Sequence, residues 1–194
     1  MTNQNSTISP LDSFKNKLKD FALGRNKGIR NPFVIVPVKP NLERLLGEKL
    51  TSWSNNKKSS RDKYSIDIFN LDELMPMTTV FNIAMQVKND DNDIENTLKN
   101  NLGNEIVELI VNQNEERLYK SNNIILLLNL GSLYPFTRAS EILDELDRLK
   151  VKSTIGIPFP GEIIAGKLSF FGEDTRHYYP AHRIEDQIEE VHLQ

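Results

Sequence analysis

Ile124-Ile125-Leu126-Leu127-Leu128 is the stretch that decides the fold. Five apolar residues in a row offer no polar face, so a strand here must be covered on both sides. That is the pattern of a central parallel strand between two layers of helices. Asn129, Gly131 and Ser132 end it. A helix over 137–150 comes next, with Ile142, Leu143, Leu146 and Leu149 inward and Glu141, Asp144, Asp147 and Arg148 outward.

Upstream, the same alternation of strand and helix repeats. Pro10 opens an amphipathic helix with Leu11, Phe14, Leu18 and Phe21 on one face, ending near Gly24. Phe33-Val34-Ile35-Val36 reads as a first buried strand, and Asn41 as the cap of a helix carrying Leu42, Leu45, Leu46, Leu50 and Trp53. Tyr64, Ile66 and Ile68 alternate as a second strand. Leu71-Asp-Glu-Leu-Met continues as helix until Pro76 interrupts it. Residues 88–93 form an acidic loop. Residues 93–119 read as one or two helices, kinked or broken around Gly103.

Downstream, residues 153–159 predict a fourth strand, Lys167-Leu-Ser-Phe-Phe a fifth, and the region from Arg183 a last helix with Ile184, Ile188 and Val191 on one face. The expected fold is α/β, a mostly parallel sheet flanked by helices on both faces, of Rossmann-like or P-loop-like three-layer type. One such domain is expected over residues 10–194, after a disordered segment 1–9. Ligands of such sheets sit outside the carboxyl ends of the strands, here near Val38-Lys39, Asn129–Tyr134 and Pro160–Glu162.

Composition excludes several classes of chemistry. With 194 residues and no cysteine, the chain has no disulfide, no Cys-based zinc site and no thiol nucleophile. No apolar run reaches the ~20 residues of a membrane helix. MTNQNSTISP lacks signal-peptide character, so a soluble cytoplasmic protein is expected. The formal charge of −3 hides an asymmetry: residues 1–63 hold 13 Lys/Arg against 5 Asp/Glu, and residues 64–118 hold 3 against 11. Lys15, Lys17, Lys19, Arg25, Lys27 and Arg30 offer charges to phosphates. Against direct DNA contact stands a pI of about 5.7. The two charged segments are expected to face each other or to be simply solvated.

Gly161-Glu-Ile-Ile-Ala-Gly166-Lys167-Leu168 satisfies G-x-x-x-x-G-K. It puts Leu168 where Mg²⁺ needs a hydroxyl, and Leu168-Ser-Phe-Phe reads as strand rather than helix, so a functional Walker A motif is rejected. His177, His182 and His192 lack helical metal-ligand spacing, and Ser132 lacks a nucleophile elbow. No catalytic residue, metal or cofactor is assigned. Two segments are more specified. Gly131-Ser-Leu-Tyr134-Pro135-Phe136-Thr-Arg138 joins a turn, an aromatic wedge and an Arg in the first turn of a helix, where the dipole opposes it. Arg176-His177-Tyr178-Tyr179-Pro180-Ala-His182-Arg183 interleaves aromatic and basic groups, as binding faces do. Arg138 and Glu162 are expected to stabilise loops at the strand ends, and Tyr178, Tyr179 and Arg183, with Tyr134, to serve a partner face.

Taken together, these segments resemble a family. Gly131–Arg138, then Phe159-Pro160-Gly161-Glu162, Leu168-Ser-Phe-Phe-Gly172 and Tyr178-Tyr179-x-Ala181, keep the order of the BrxB family of bacteriophage exclusion (BREX) systems. Asn31–Ile35 and Tyr64–Leu71 occupy the places of the family's first two strands, so the resemblance spans about residues 30–184. Pro180 and His182 stand where the family carries Arg and an aromatic residue. The resemblance implies a non-enzymatic accessory or adaptor component supporting host DNA methylation and phage exclusion. Its implied partner is the alkaline-phosphatase-like protein PglZ, with the methyltransferase PglX and the ATPase BrxC in the same system. Alternatives are a degenerate nucleotide-binding domain and a weak DNA-binding module through residues 15–30.

Overall fold

The computed structural model describes residues 8–26, 28, 31–58, 63–86, 92–165, 167–171, 175–176 and 180–194. Ser9 caps the first helix, α1 (Pro10–Ala22), accepting the Asp12 amide at 3.1 Å, and Pro10 supplies a first residue that needs no amide partner. The all-buried strand β1 (Phe33–Val38) leads through a 3-10 turn at Pro40–Leu42 into α2 (Glu43–Lys58). Asn41 lies inside that turn and does not cap α2, because Pro40 already fixes the backbone one residue earlier.

β2 (Ser65–Asn70) is followed by a short α3 (Leu71–Leu74), a 3-10 turn at Met75–Met77 and α4 (Thr79–Gln86), so Pro76 breaks the helix as expected. α5 (Asn92–Leu118) runs through Gly103 without a break. Its one non-helical residue is Asn114, at φ −151°. Gly103 serves packing instead: a Cβ there would lie 3.0 Å from Thr137 Oγ1, so its absence lets α5 approach the loop before α6. β3 (Asn123–Leu128), α6 (Ala139–Arg148), β4 (Thr154–Ile164), β5 (Lys167–Phe170), β6 (Thr175–Arg176) and β7 (His182–Arg183) complete the order.

The sheet runs β2-β3-β4-β1-β7, all parallel, with β5 and β6 added antiparallel beyond β4. β3 sits between β2 and β4 and is buried along its whole length, as its five apolar residues require. Alternate residues of the strands face two cores. Val34, Val36, Ile124 and Leu126 pack on Phe14, Leu18, Leu46 and Leu50 of α1 and α2. Ile35, Ile125, Leu127 and Ile157 pack on Leu102, Ile106, Ile142 and Leu146 of α5 and α6. This is the three-layer α/β arrangement that the apolar strand predicts. None of the helices is long and apolar enough to cross a membrane, among the described residues.

The expected last helix does not form. Residues 182–188 run instead along β1: the Ile184 amide donates to Ile35 O at 2.8 Å and the Ile188 amide to Pro37 O at 2.8 Å. β1 would otherwise present an open edge, and an edge strand captures extended chain. Ile184 and Ile188 are four residues apart, a spacing that puts them on one face of a helix and equally of a strand.

Candidate functional site at the carboxyl ends of the strands

β3 leaves the sheet at Asn129, whose backbone turns through the left-handed region at φ 60°. Its side-chain amide donates to Asp72 Oδ1 at 2.8 Å, tying the ends of β2 and β3. A 3-10 turn at Leu130–Leu133 comes next, with both leucines buried and Ser132 Oγ donating to Asn129 O at 2.7 Å. Ser132 is thus a turn hydroxyl.

Glu43, in the first turn of α2, reaches across to this loop. Its Oε1 accepts the Gly131 amide at 3.0 Å. Burial pushes the Glu43 carboxyl above the usual carboxylate range and Asp72 adds repulsion, while the Gly131 and Leu130 amides pull it back. The cradle is made for glycine, since a Cβ at 131 would also lie 3.1 Å from Phe171 Cζ and 3.4 Å from Pro160 Cγ. Sequence alone does not single out Glu43, because a Glu in the first helical turn is ordinary.

Tyr134 precedes a cis peptide to Pro135. Its ring lies 5.4 Å from Phe170 and 5.0 Å from Phe171, and Phe170 lies 5.2 Å from Phe159. The aromatic wedge of the Gly131–Arg138 segment therefore locks onto the β4–β5 hairpin, an arrangement typical of ring clusters. Arg138 is not in the first turn of α6. It is the residue before it, in extended conformation, and its amide donates to Glu141 Oε2 at 3.2 Å. Arg138 stays at the positive end of the helix dipole, and the Glu141 carboxylate in the first turn offsets it.

Gly161 and Lys167 both lie in the antiparallel β4–β5 ladder, where Gly161 pairs with Phe170 and Glu162 with Ser169. Lys167–Phe170 is strand, and Gly166 of the G-x-x-x-x-G-K stretch lies outside the described residues. Glu162 is exposed on this hairpin. Arg183 sits at the other side of β1, in β7, and pairs with Glu185 at 2.7 Å. Tyr178, Tyr179 and His177 lie outside the described residues, as do residues 1–7 of the expected disordered segment.

The C-terminal segment closes the remaining strand ends. Gln187 Nε2 donates to Gly161 O at 2.7 Å, and the Lys39 amide to Ile188 O at 3.4 Å. Beside this packing a cleft of about 720 Å³ opens at the ends of β2 and β3, lined in part by Arg44, Glu48, Thr51, Asn70, Asp72 and Asn129.

A family model described as BREX protein BrxB matches residues 63–184, from just before β2 through β7. The match leaves out Asn31–Ile35, where the resemblance rests on hydrophobic pattern. Comparison with curated proteins and with solved structures gives no match. The match takes in β3, the Gly131–Arg138 loop and the β4–β5 hairpin, more than half of the chain, and on that ground the chain belongs to the BrxB family, components of BREX phage defence.

Proposed function

We propose that this chain is a non-enzymatic adaptor that binds the PglZ-like protein of its BREX system and holds it in the complex, with the PglX-like methyltransferase and BrxC-like ATPase as further members. The observation that carries this reading is the chain's own filling of the sheet's carboxyl end from the loop after β3 to the β4–β5 hairpin. Glu43 engages the Gly131 amide, Tyr134 packs on Phe170 and Phe171, and Gln187 holds Gly161 O, so the chain's own residues occupy much of the place where ligands of such sheets sit. Family membership supplies the defence setting. Its partner face is assigned to Arg183 with Tyr178 and Tyr179.

Co-expression with the PglZ-like protein, followed by size-exclusion chromatography with light scattering, tests the proposal. A stoichiometric complex is expected, weakened by Tyr179→Ala. Separate elution at micromolar concentration sinks the adaptor reading, and an unaltered complex with Tyr179→Ala removes that face from it.

The cleft beside α2 favours a second reading, a nucleotide-binding regulatory domain. Its lining argues against phosphates, because Glu48 and Asp72 are acidic and Arg44 pairs with Glu48 at 3.6 Å. A ligand at 100 times its Kd would stabilise the fold by about 2.7 kcal/mol. No thermal shift with ATP or GTP and Mg²⁺ is expected.

A further inference from the structure

The sheet sorts charge by layer. α1 and α2, on one face, carry seven Lys/Arg against four Asp/Glu, whereas α3 to α6, on the other, carry three against twelve. The basic and acidic helices therefore do not face each other, and the acidic layer does not neutralise the basic one.

Its densest point lies where α1 meets α2. Lys15 and Lys19 are one turn apart on α1, and each ammonium lies 5.9 Å from the ring centroid of Trp53. Lys49 stands one turn before Trp53 on α2, and Lys57 extends the row, 5.4 Å from the Tyr64 ring. Among the described residues no carboxylate comes within ion-pair distance of Lys15, Lys19 or Lys49. Lys19 donates to the Asn16 amide oxygen at 3.3 Å. Lys15 is lowered from the ordinary lysine range, first by burial and then by the charges of Lys19 and Lys49, with Asp12 opposing. Burial and the mutual repulsion of these ammonium groups oppose folding, while their attraction to the ring offsets part of that cost.

We infer that the Lys15–Lys19–Lys49 cluster around Trp53 is a contact site for the phosphodiester backbone of nucleic acid. The charges are points spread along two helices, with no buried donor converging on one spot. That geometry suits a ligand of repeated charge, for which lysine acts without base recognition. The Lys15 and Lys19 ammonium groups stand over the Trp53 ring, where they present charge to phosphates. α1 and α2 precede the family-matched region, and the inference is independent of the adaptor reading.

The full chain has one tryptophan, so Trp53 emission reports on the site directly. It is titrated with short mixed-sequence oligonucleotides, single-stranded and duplex, alongside anisotropy of a labelled oligonucleotide. Binding is expected with Kd of roughly 10⁻⁴ to 10⁻⁶ M and a log–log salt slope near −2 to −3. Lys15→Gln/Lys19→Gln/Lys49→Gln should weaken binding about tenfold or more and flatten the slope by about 2, while Lys99→Gln on α5 changes neither. Lys49 is exposed, so Lys49→Gln alone keeps the fold and should still reduce the slope by up to about 1. Absence of binding at low salt overturns the assignment, as does an unchanged slope in the Lys variants. Displacement of the oligonucleotide by polyglutamate at equal charge concentration also overturns it, in favour of an acidic polypeptide.

Discussion

Gly161→Ala is the sharpest test of the strand-end architecture. A Cβ at 161 would overlap the Ser169 carbonyl oxygen and lie 2.7 Å from Phe159 Cε1 and 3.1 Å from the Ser169 carbonyl carbon. Carbon atoms pack best at about 3.5–4.0 Å, so the shortfall against the Phe159 ring alone is about 1 Å. Phe159 is fully buried and packed on Phe170, and Ser169 is a backbone partner in the β4–β5 ladder. Neither can rotate away, so the hairpin must separate. Overpacking costs about 1–3 kcal/mol. Loss of one or two ladder hydrogen bonds adds about 1 kcal/mol each. Reduced freedom of the unfolded chain returns about 0.4–1 kcal/mol. The net loss is about 2–4 kcal/mol, enough to lower the urea midpoint by about 1–2 M at an m-value near 2 kcal/mol/M. Urea unfolding monitored by far-UV circular dichroism measures it. An unchanged or raised midpoint would show that β4 and β5 are not held at this register.

Three single residues carry further expectations. Because burial raises Glu43, its contribution to stability is fully present below the ordinary carboxylate value of about 4.3 and is lost as pH rises through the raised one. Glu43→Gln keeps an acceptor for Gly131 and should flatten that decline in a melting series from acid to neutral pH; an unaltered pH profile counts against it. Ile188→Ala removes a fully buried side chain and should cost about 2–5 kcal/mol, with faster hydrogen exchange at the Ile184 amide, whereas a helical end would lose far less. His182 is lowered from its ordinary value by burial and then by Lys17, while its ring packs on Phe21 at 5.0 Å. Lys17→Gln should move its NMR titration part of the way back up, and no movement would remove Lys17 as a cause.

Local chemistry is what the sequence makes legible. The apolar run 124–128, the Pro10 start and the Pro76 break each have one physical reading, and each stands in the fold. The β4–β5 hairpin is legible because Leu168-Ser-Phe-Phe is too short and too aromatic for a phosphate-loop helix. The C-terminal segment is not, because its isoleucine spacing suits both periods and its choice depends on the free edge of β1, some 150 residues earlier. Gly103 looks like a break in isolation, when a neighbouring loop gives it a reason to stay helical. Of the site, Tyr134 stands out through its place beside Pro135, while Glu43 matters only through its contact with a loop 88 residues away. Arg138 is the N-cap of α6 and not a residue of its first turn, because the helix begins two residues later than the periodicity predicts.

The order of the strands also governs how this chain can be made. β1 holds six buried residues and appears early in synthesis, yet its partners are residues 155–160 of β4 and the short β7. Until both have left the ribosome, Phe33–Val38 is an apolar strand with two bare edges, whereas β2, β3 and β4 join in the order they are made. Long-range pairing of this kind slows folding and leaves a sticky intermediate. Completion of the fold thus waits on residues 182–188, and a ribosome-stalled chain ending at Ile164 should be more readily captured by chaperones than one that includes them.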